Sequence, residues 1–146
     1  MHSLGDQHLR TMSIVNFQLI PAYALHDGQH NWLASAAGLS RASEEHAHVY
    51  FLGSGEQLIA GWQLSDGLEN AVSFDTISIL RHGLLIGARQ LALAHNHPSG
   101  DPRPSIADIE LTRQLVRGCH ALAMQLVDHV IFAHSGHHSM RMAGQL

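Results

Sequence analysis

Residues 95–108 read HNHPSGDPRPSIAD, and the interpretation of the whole chain turns on this stretch. The apolar residues 91–94 lead into it as the end of a buried strand, and residues 109–116 leave it as a helix. Between them Pro98, Gly100, Pro102 and Pro104 interrupt both kinds of element and make a turn. In an extended chain residues i and i+2 point the same way, so His95 and His97 can present their imidazoles to one point. Asp108 lies one turn into the following helix and becomes the natural third ligand once the proline-rich turn folds the helix start back. Hydrolytic zinc takes three protein ligands and keeps one position for water. Ser105, one helical turn before Asp108 on the same face, carries a hydroxyl able to donate to a developing oxyanion.

Each of these residues also has a plainer reading. Histidine is abundant here, 14 of 146 residues, so His-x-His is weak by itself. Taken alone, Ser105 and Asp108 read better as an N-cap with an acid in the first helical turn. Capping does not explain two same-facing histidines, a tight turn and an acid one turn into the helix occurring together. The stretch contains no general base, which has to come from elsewhere.

The pattern His-x-His, a short gap, then Ser-x-x-Asp resembles the JAMM (JAB1/MPN) metalloprotease motif. The longer string HNHPSGDPRPSIADIELTRQL is similar to the version found in bacterial RadC-family proteins. The likeness extends to residues 126–131 and 139–144, and upstream to 45–52, so it spans roughly residues 30–146. It implies an α/β (α+β) sandwich, with a mixed β-sheet flanked by helices. It also implies a zinc-dependent hydrolase of amide bonds, peptide or isopeptide-like. One Zn²⁺ with a bound water would be held by His95, His97 and Asp108, with Glu45 as general base and Ser105 steadying the oxyanion. From the residues alone, Glu45 would share a strand face with Ala47, Val49 and Phe51, an unusual place for a carboxylate. Without the resemblance, a solvated strand end is the simpler reading of Glu44 and Glu45. Met142 departs from the family pattern, where an acidic residue is common.

Composition narrows the remaining classes. A chain of 146 residues, 45% hydrophobic, suits one core. Residues 29–146 read as a single domain, after an extension over residues 1–28 in which 12–20 could form an extra strand. The formal net charge is −4 and the eight basic residues are scattered arginines, which argues against autonomous nucleic-acid binding. The absence of lysine excludes Schiff-base chemistry and lysine-based phosphate loops. A lone Cys119 excludes an intrachain disulfide, a thiolate zinc cluster and the cysteine ligands of a zinc deaminase. It reads as a packed core thiol and fits a reducing cytoplasm. No run reaches the ~18 apolar residues of a membrane span. Residues 22–24 look superficially like a signal-peptidase site, but Asn16 and Gln18 break the run before them, so export is rejected. Two other classes compete: a RadC-type DNA-repair-associated accessory protein, and a non-catalytic JAB-fold interaction module. The acidic balance and the absence of a helix-hairpin-helix segment ahead of the domain speak against the first. The complete set of motif residues speaks against the second. Nothing in the sequence declares a particular peptide or protein substrate, or an oligomeric state.

The expected elements follow from periodicity and breakers. They are a short helix over 31–38 and a hairpin of strands 45–52 and 57–64. A short strand at 68–72 and a helix from Phe74 to near Gly87 come next. A strand over 90–94 delivers His95. A helix then runs from Ser105 to about 125, packing through Ile109, Leu115, Val116, Cys119 and Leu122. Strand 126–133 and a last short strand close the domain. His46 and His48 read as packing histidines, Asp128-His129 as a structural pair near the sheet end, and His137-His138 as a turn-exposed pair.

Overall fold

Strand β4, Gln90–Asn96, is buried at every position after its first residue. Its alternation sends Leu91, Leu93 and His95 to one face and Ala92, Ala94 and Asn96 to the other. A strand apolar on both sides needs cover on both, and the helices divide accordingly. Helices α2 (Thr76–Leu85) and α3 (Ile106–Ala121) bring Ile79, Leu115 and Cys119 against Val49, Phe51, Leu91 and Leu93. Helix α1 (Trp32–Ala36), continued by a 3₁₀ turn (Ala37–Arg41), lays Trp32, Ala36 and Leu39 on Tyr50, Leu52, Ala92 and Phe132. The computed structural model describes residues 16–19, 31–65 and 76–146.

The other strands among the described residues are β1 (Asn16–Leu19), β2 (Ala47–Leu52), β3 (Leu58–Ser65), β5 (Gln125–Ala133) and β6 (Gly136–Ser139). They form one six-stranded sheet in the order β1-β3-β2-β4-β5-β6. Only the β4–β5 pair is parallel among the described strands. A parallel pair needs a long crossover, and α3 supplies it. This places the end of β4 beside the start of α3 and makes a mixed α+β sandwich, as the resemblance implies.

Several boundaries differ from the sequence reading. Helix α3 stops at Ala121, because Leu122 and Met124 both turn back to the Cys119 carbonyl and Ala123 adopts φ 55°. The chain is thereby released for Gln125 to pair with Gln90, and Leu122 lies at the surface rather than in the core. The first helix is α-helical only to Ala36, with the Asn31 side chain accepting from Leu33 N at its start. Phe74 and the strand expected over 68–72 lie outside the described residues. Among the described residues no helix is long and apolar enough to cross a membrane.

Candidate metal centre

The alternation of β4 delivers His95 and His97 to the α3 side of the sheet. His95 is buried, and His97, just past the strand end, is partly exposed. Their Nε2 atoms stand 3.0 Å apart. Asp108 faces both, with Oδ1 3.2 Å from His95 Nε2 and Oδ2 3.2 Å from His97 Nε2. Glu45 completes a group with the two histidines in which one ligand atom from each lies within 4.8 Å of the others, a candidate metal site.

Capping and convergence turn out to use the same residues. Ser105 is the N-cap of α3, its Oγ accepting from Asp108 N at 3.1 Å, while Asp108 Oδ2 accepts from Ser105 N at 2.8 Å. This capping box aims the Asp108 carboxylate at the histidines. Burial alone would raise the Asp108 pKa, but hydrogen bonding and charge from His95, together with the Ser105 bonds, hold it well below the usual carboxylate range. The group is an anion at neutral pH.

The donor set fits a divalent cation. His97 Nδ1 is 2.8 Å from the Asp101 backbone carbonyl, which only accepts, so Nδ1 carries the proton and Nε2 offers a lone pair. That lone pair, His95 Nε2 and the Asp108 carboxylate converge on one point, an arrangement a divalent cation would satisfy. Two imidazoles with carboxylate oxygen suit zinc, and they accept other divalent metals as well. The loop that orients His97 is itself anchored. Gly100 N donates to His97 O at 3.1 Å, and Ser135 Oγ donates to Gly100 O at 2.6 Å. Gly100 adopts φ +89° with the His134 ring packed where a Cβ would lie.

Glu45 departs from the sequence reading in one respect. Strand β2 begins at Ala47, so Glu45 is exposed beyond the end of the ladder instead of belonging to its apolar face. The cause is Asn96, which points to the opposite face from the histidines on either side of it. Its Oδ1 accepts from His46 N at 2.7 Å, and its Nδ2 donates to Glu44 O at 2.8 Å and Ala42 O at 3.3 Å. The buried amide therefore clasps the backbone on both sides of Glu45.

A second residue was misread from sequence. His129 stands mid-strand rather than near the sheet end and is fully buried, with Nε2 2.7 Å from His95 Nδ1 and Nδ1 2.7 Å from Thr112 Oγ1. Burial, reinforced by His95, pushes its pKa down to about 3, so it is neutral. Only the parallel register, which sets Leu93 beside His129, brings it here. Its neighbour Asp128 is structural, accepting from His129 N, Arg141 N and Ser139 Oγ. His46 bonds Gln63 and His48 bonds Tyr50, away from the site, while His138 bonds Gln145 and His137 is exposed.

Fold and donor set together define a JAB/MPN-type domain carrying a candidate metal site at the junction of β4 and α3. The chain belongs to the RadC-like JAB domain family, which matches residues 29–145. Among curated relatives, a UPF0758 protein of Coprothermobacter proteolyticus is 35% identical over 102 residues, covering 70% of this chain and 43% of that protein. A UPF0758 protein of Symbiobacterium thermophilum is 33% identical, with 76% of this chain and 47% of the relative covered. One from Ruegeria pomeroyi is 34% identical, with 74% and 48% covered. The chain thus spans less than half the length of each of these relatives.

Proposed function

We propose that this domain is a JAMM-type zinc metallopeptidase, hydrolysing an amide bond in a peptide or protein. The observation that carries the reading is the convergence of His95 Nε2, His97 Nε2 and the Asp108 carboxylate at 3.0–3.2 Å, with Glu45 alongside. His95, His97 and Asp108 would hold the metal. When bound, zinc supplies Lewis acidity toward a water and a substrate carbonyl.

The chain's own residues do the rest. Glu45, exposed at the rim and held by the Asn96 clasp, takes the proton of the attacking water and returns one to the leaving amine. Ser105 Oγ accepts from Asp108 N, which leaves its hydroxyl proton free to donate to the oxyanion. A cleft of about 440 Å³, bordered by Ser40, Arg41, His97 and His134, adjoins the site and offers room for residues flanking the scissile bond. The buried, unpaired Cys119 suits a cytoplasmic setting.

Elemental analysis of the wild type beside His95→Ala and His97→Ala tests the proposal. About one zinc per wild-type chain, lost in both variants with the fold intact, is the expected result. Glu45→Gln should keep the metal while peptide hydrolysis falls on the order of 10²- to 10⁴-fold. A wild type that takes up no added zinc overturns the enzyme reading and leaves a non-catalytic module.

A further inference from the structure

His95 lies between two sets of partners. Its Nε2 faces His97 and Asp108, and its Nδ1 faces His129 Nε2 at 2.7 Å. A neutral imidazole carries one proton, so only one of its nitrogens can present a lone pair. The choice is made two side chains away. Thr112 Oγ1 lies 2.7 Å from the Asp108 backbone carbonyl, 3.2 Å from Met140 Sδ and 2.7 Å from His129 Nδ1. The first two have no proton to give.

The single hydroxyl proton of Thr112 therefore goes to the Asp108 carbonyl, and the third contact must be donated by His129 Nδ1–H. His129 Nε2 is then the acceptor, so the proton shared with His95 belongs to His95 Nδ1. The other nitrogen, His95 Nε2, faces the Asp108 carboxylate, and any proton it carries there in the metal-free protein is the one a bound cation displaces. Thr112 and His129 are 0% exposed and His95 is 2% exposed, so no solvent is at hand to satisfy a different arrangement. Among the described residues no buried side-chain nitrogen or oxygen lacks a partner.

We infer that Thr112 and His129 are positioning residues that lock His95 in the Nδ1–H tautomer and so reserve its Nε2 for a divalent cation. The inference rests on the metal-site reading above, but the hydrogen bond from His95 Nδ1–H to His129 belongs to the metal-free protein and can be read there. The same hydroxyl also bonds the backbone of Asp108, tying the orientation of the carboxylate and the state of the imidazole to one side chain. Without that hydroxyl, His129 Nδ1–H loses its acceptor and the ring is free to adopt the Nε2–H form. That form would face His95 Nδ1 with a proton and drive the His95 proton onto Nε2, where the metal belongs.

The test uses Thr112→Val, close in shape but lacking the hydroxyl, beside Thr112→Ser, which restores it. Zinc affinity is measured by competition with a chromophoric chelator, and the His95 tautomer by ¹⁵N imidazole NMR of the metal-free proteins above pH 8. Outer-shell partners of metal-bound histidines contribute about 10- to 100-fold in affinity, and Thr112→Val should lose that much while Thr112→Ser binds as the wild type does. His95 should be Nδ1–H in wild type and Thr112→Ser, with Nε2–H appearing in Thr112→Val. A wild-type His95 in the Nε2–H form overturns the inference, and so does a Thr112→Val protein with an unchanged tautomer. If Thr112→Val does not fold, the wild-type tautomer alone decides. A wild type showing Nδ1–H but taking up no zinc defeats the metallopeptidase reading and leaves the relay standing.

Discussion

Replacing Asn96 with alanine should loosen the rim that carries Glu45 without touching a candidate metal ligand. The side chain makes three hydrogen bonds, to His46 N, Glu44 O and Ala42 O, at 2.7, 2.8 and 3.3 Å. Each contributes about 1 kcal/mol net. Glu44 is exposed and Ala42 and His46 are only half-buried, so the freed backbone groups regain water in part and the full penalty of unsatisfied burial does not apply. The expected loss is therefore about 2 kcal/mol, or a fall in Tm of about 6 °C for a chain of this size. Asn96→Asp keeps the acceptor for His46 N but turns a carboxylate oxygen toward the Glu44 carbonyl, and should be at least as damaging. Urea and thermal unfolding give the stability, and hydrogen exchange at the His46 amide reports the clasp directly. That amide should lose protection in both variants, and on the proposed metallopeptidase reading hydrolysis should fall while zinc content stays near the wild-type value. Two variants within about 0.5 kcal/mol of wild type, with His46 still protected, would refute the clasp.

Other consequences can be checked as simply. Gly100→Ala forces a side chain onto φ +89° and drives its Cβ into the His134 ring. The ring can swing away but the backbone cannot, so a loss of about 1–2 kcal/mol in thermal unfolding is expected, and wild-type stability would show that the loop tolerates the strain. His48 is held at about 4 by burial and then by His46. Its folded pKa is depressed, so the unfolded chain binds the extra proton below ~6.5 and stability should fall between pH 6.5 and 4. The loss should be on the order of 2 kcal/mol, and His48→Gln should flatten that part of the urea-midpoint profile; an unchanged slope sinks the assignment. Burial pushes the Cys119 thiol up to about 11, so alkylation at pH 8 should be negligible in the native protein and fast in urea. Rapid native labelling would show that the thiol is not packed as described.

Local pattern carried much of this protein. The two-residue period of β4 put His95 and His97 on one side, and the breakers between Pro98 and Pro104 separated strand from helix. The Ser105-x-x-Asp108 spacing made a capping box legible, and the resemblance to RadC-type JAMM sequences pointed to Glu45. These features depend on residues within a turn or two of one another, where spacing alone sets direction. What stayed hidden depends on contacts between distant segments. Asn96 bonds residues about fifty positions earlier, and that clasp ends β2 at Ala47 and leaves Glu45 at the rim. His129 reaches His95 only because β4 and β5 pair in parallel with one particular register, and periodicity within a strand does not encode its neighbour's register. The early end of α3 has the same origin, since the parallel pairing needs Gln125 extended beside Gln90. The chain's own pattern therefore determined which residues point together along each element. Tertiary pairing decided which buried groups stand behind them, because hydrogen-bond partners of a buried imidazole or amide are chosen by packing and not by sequence distance.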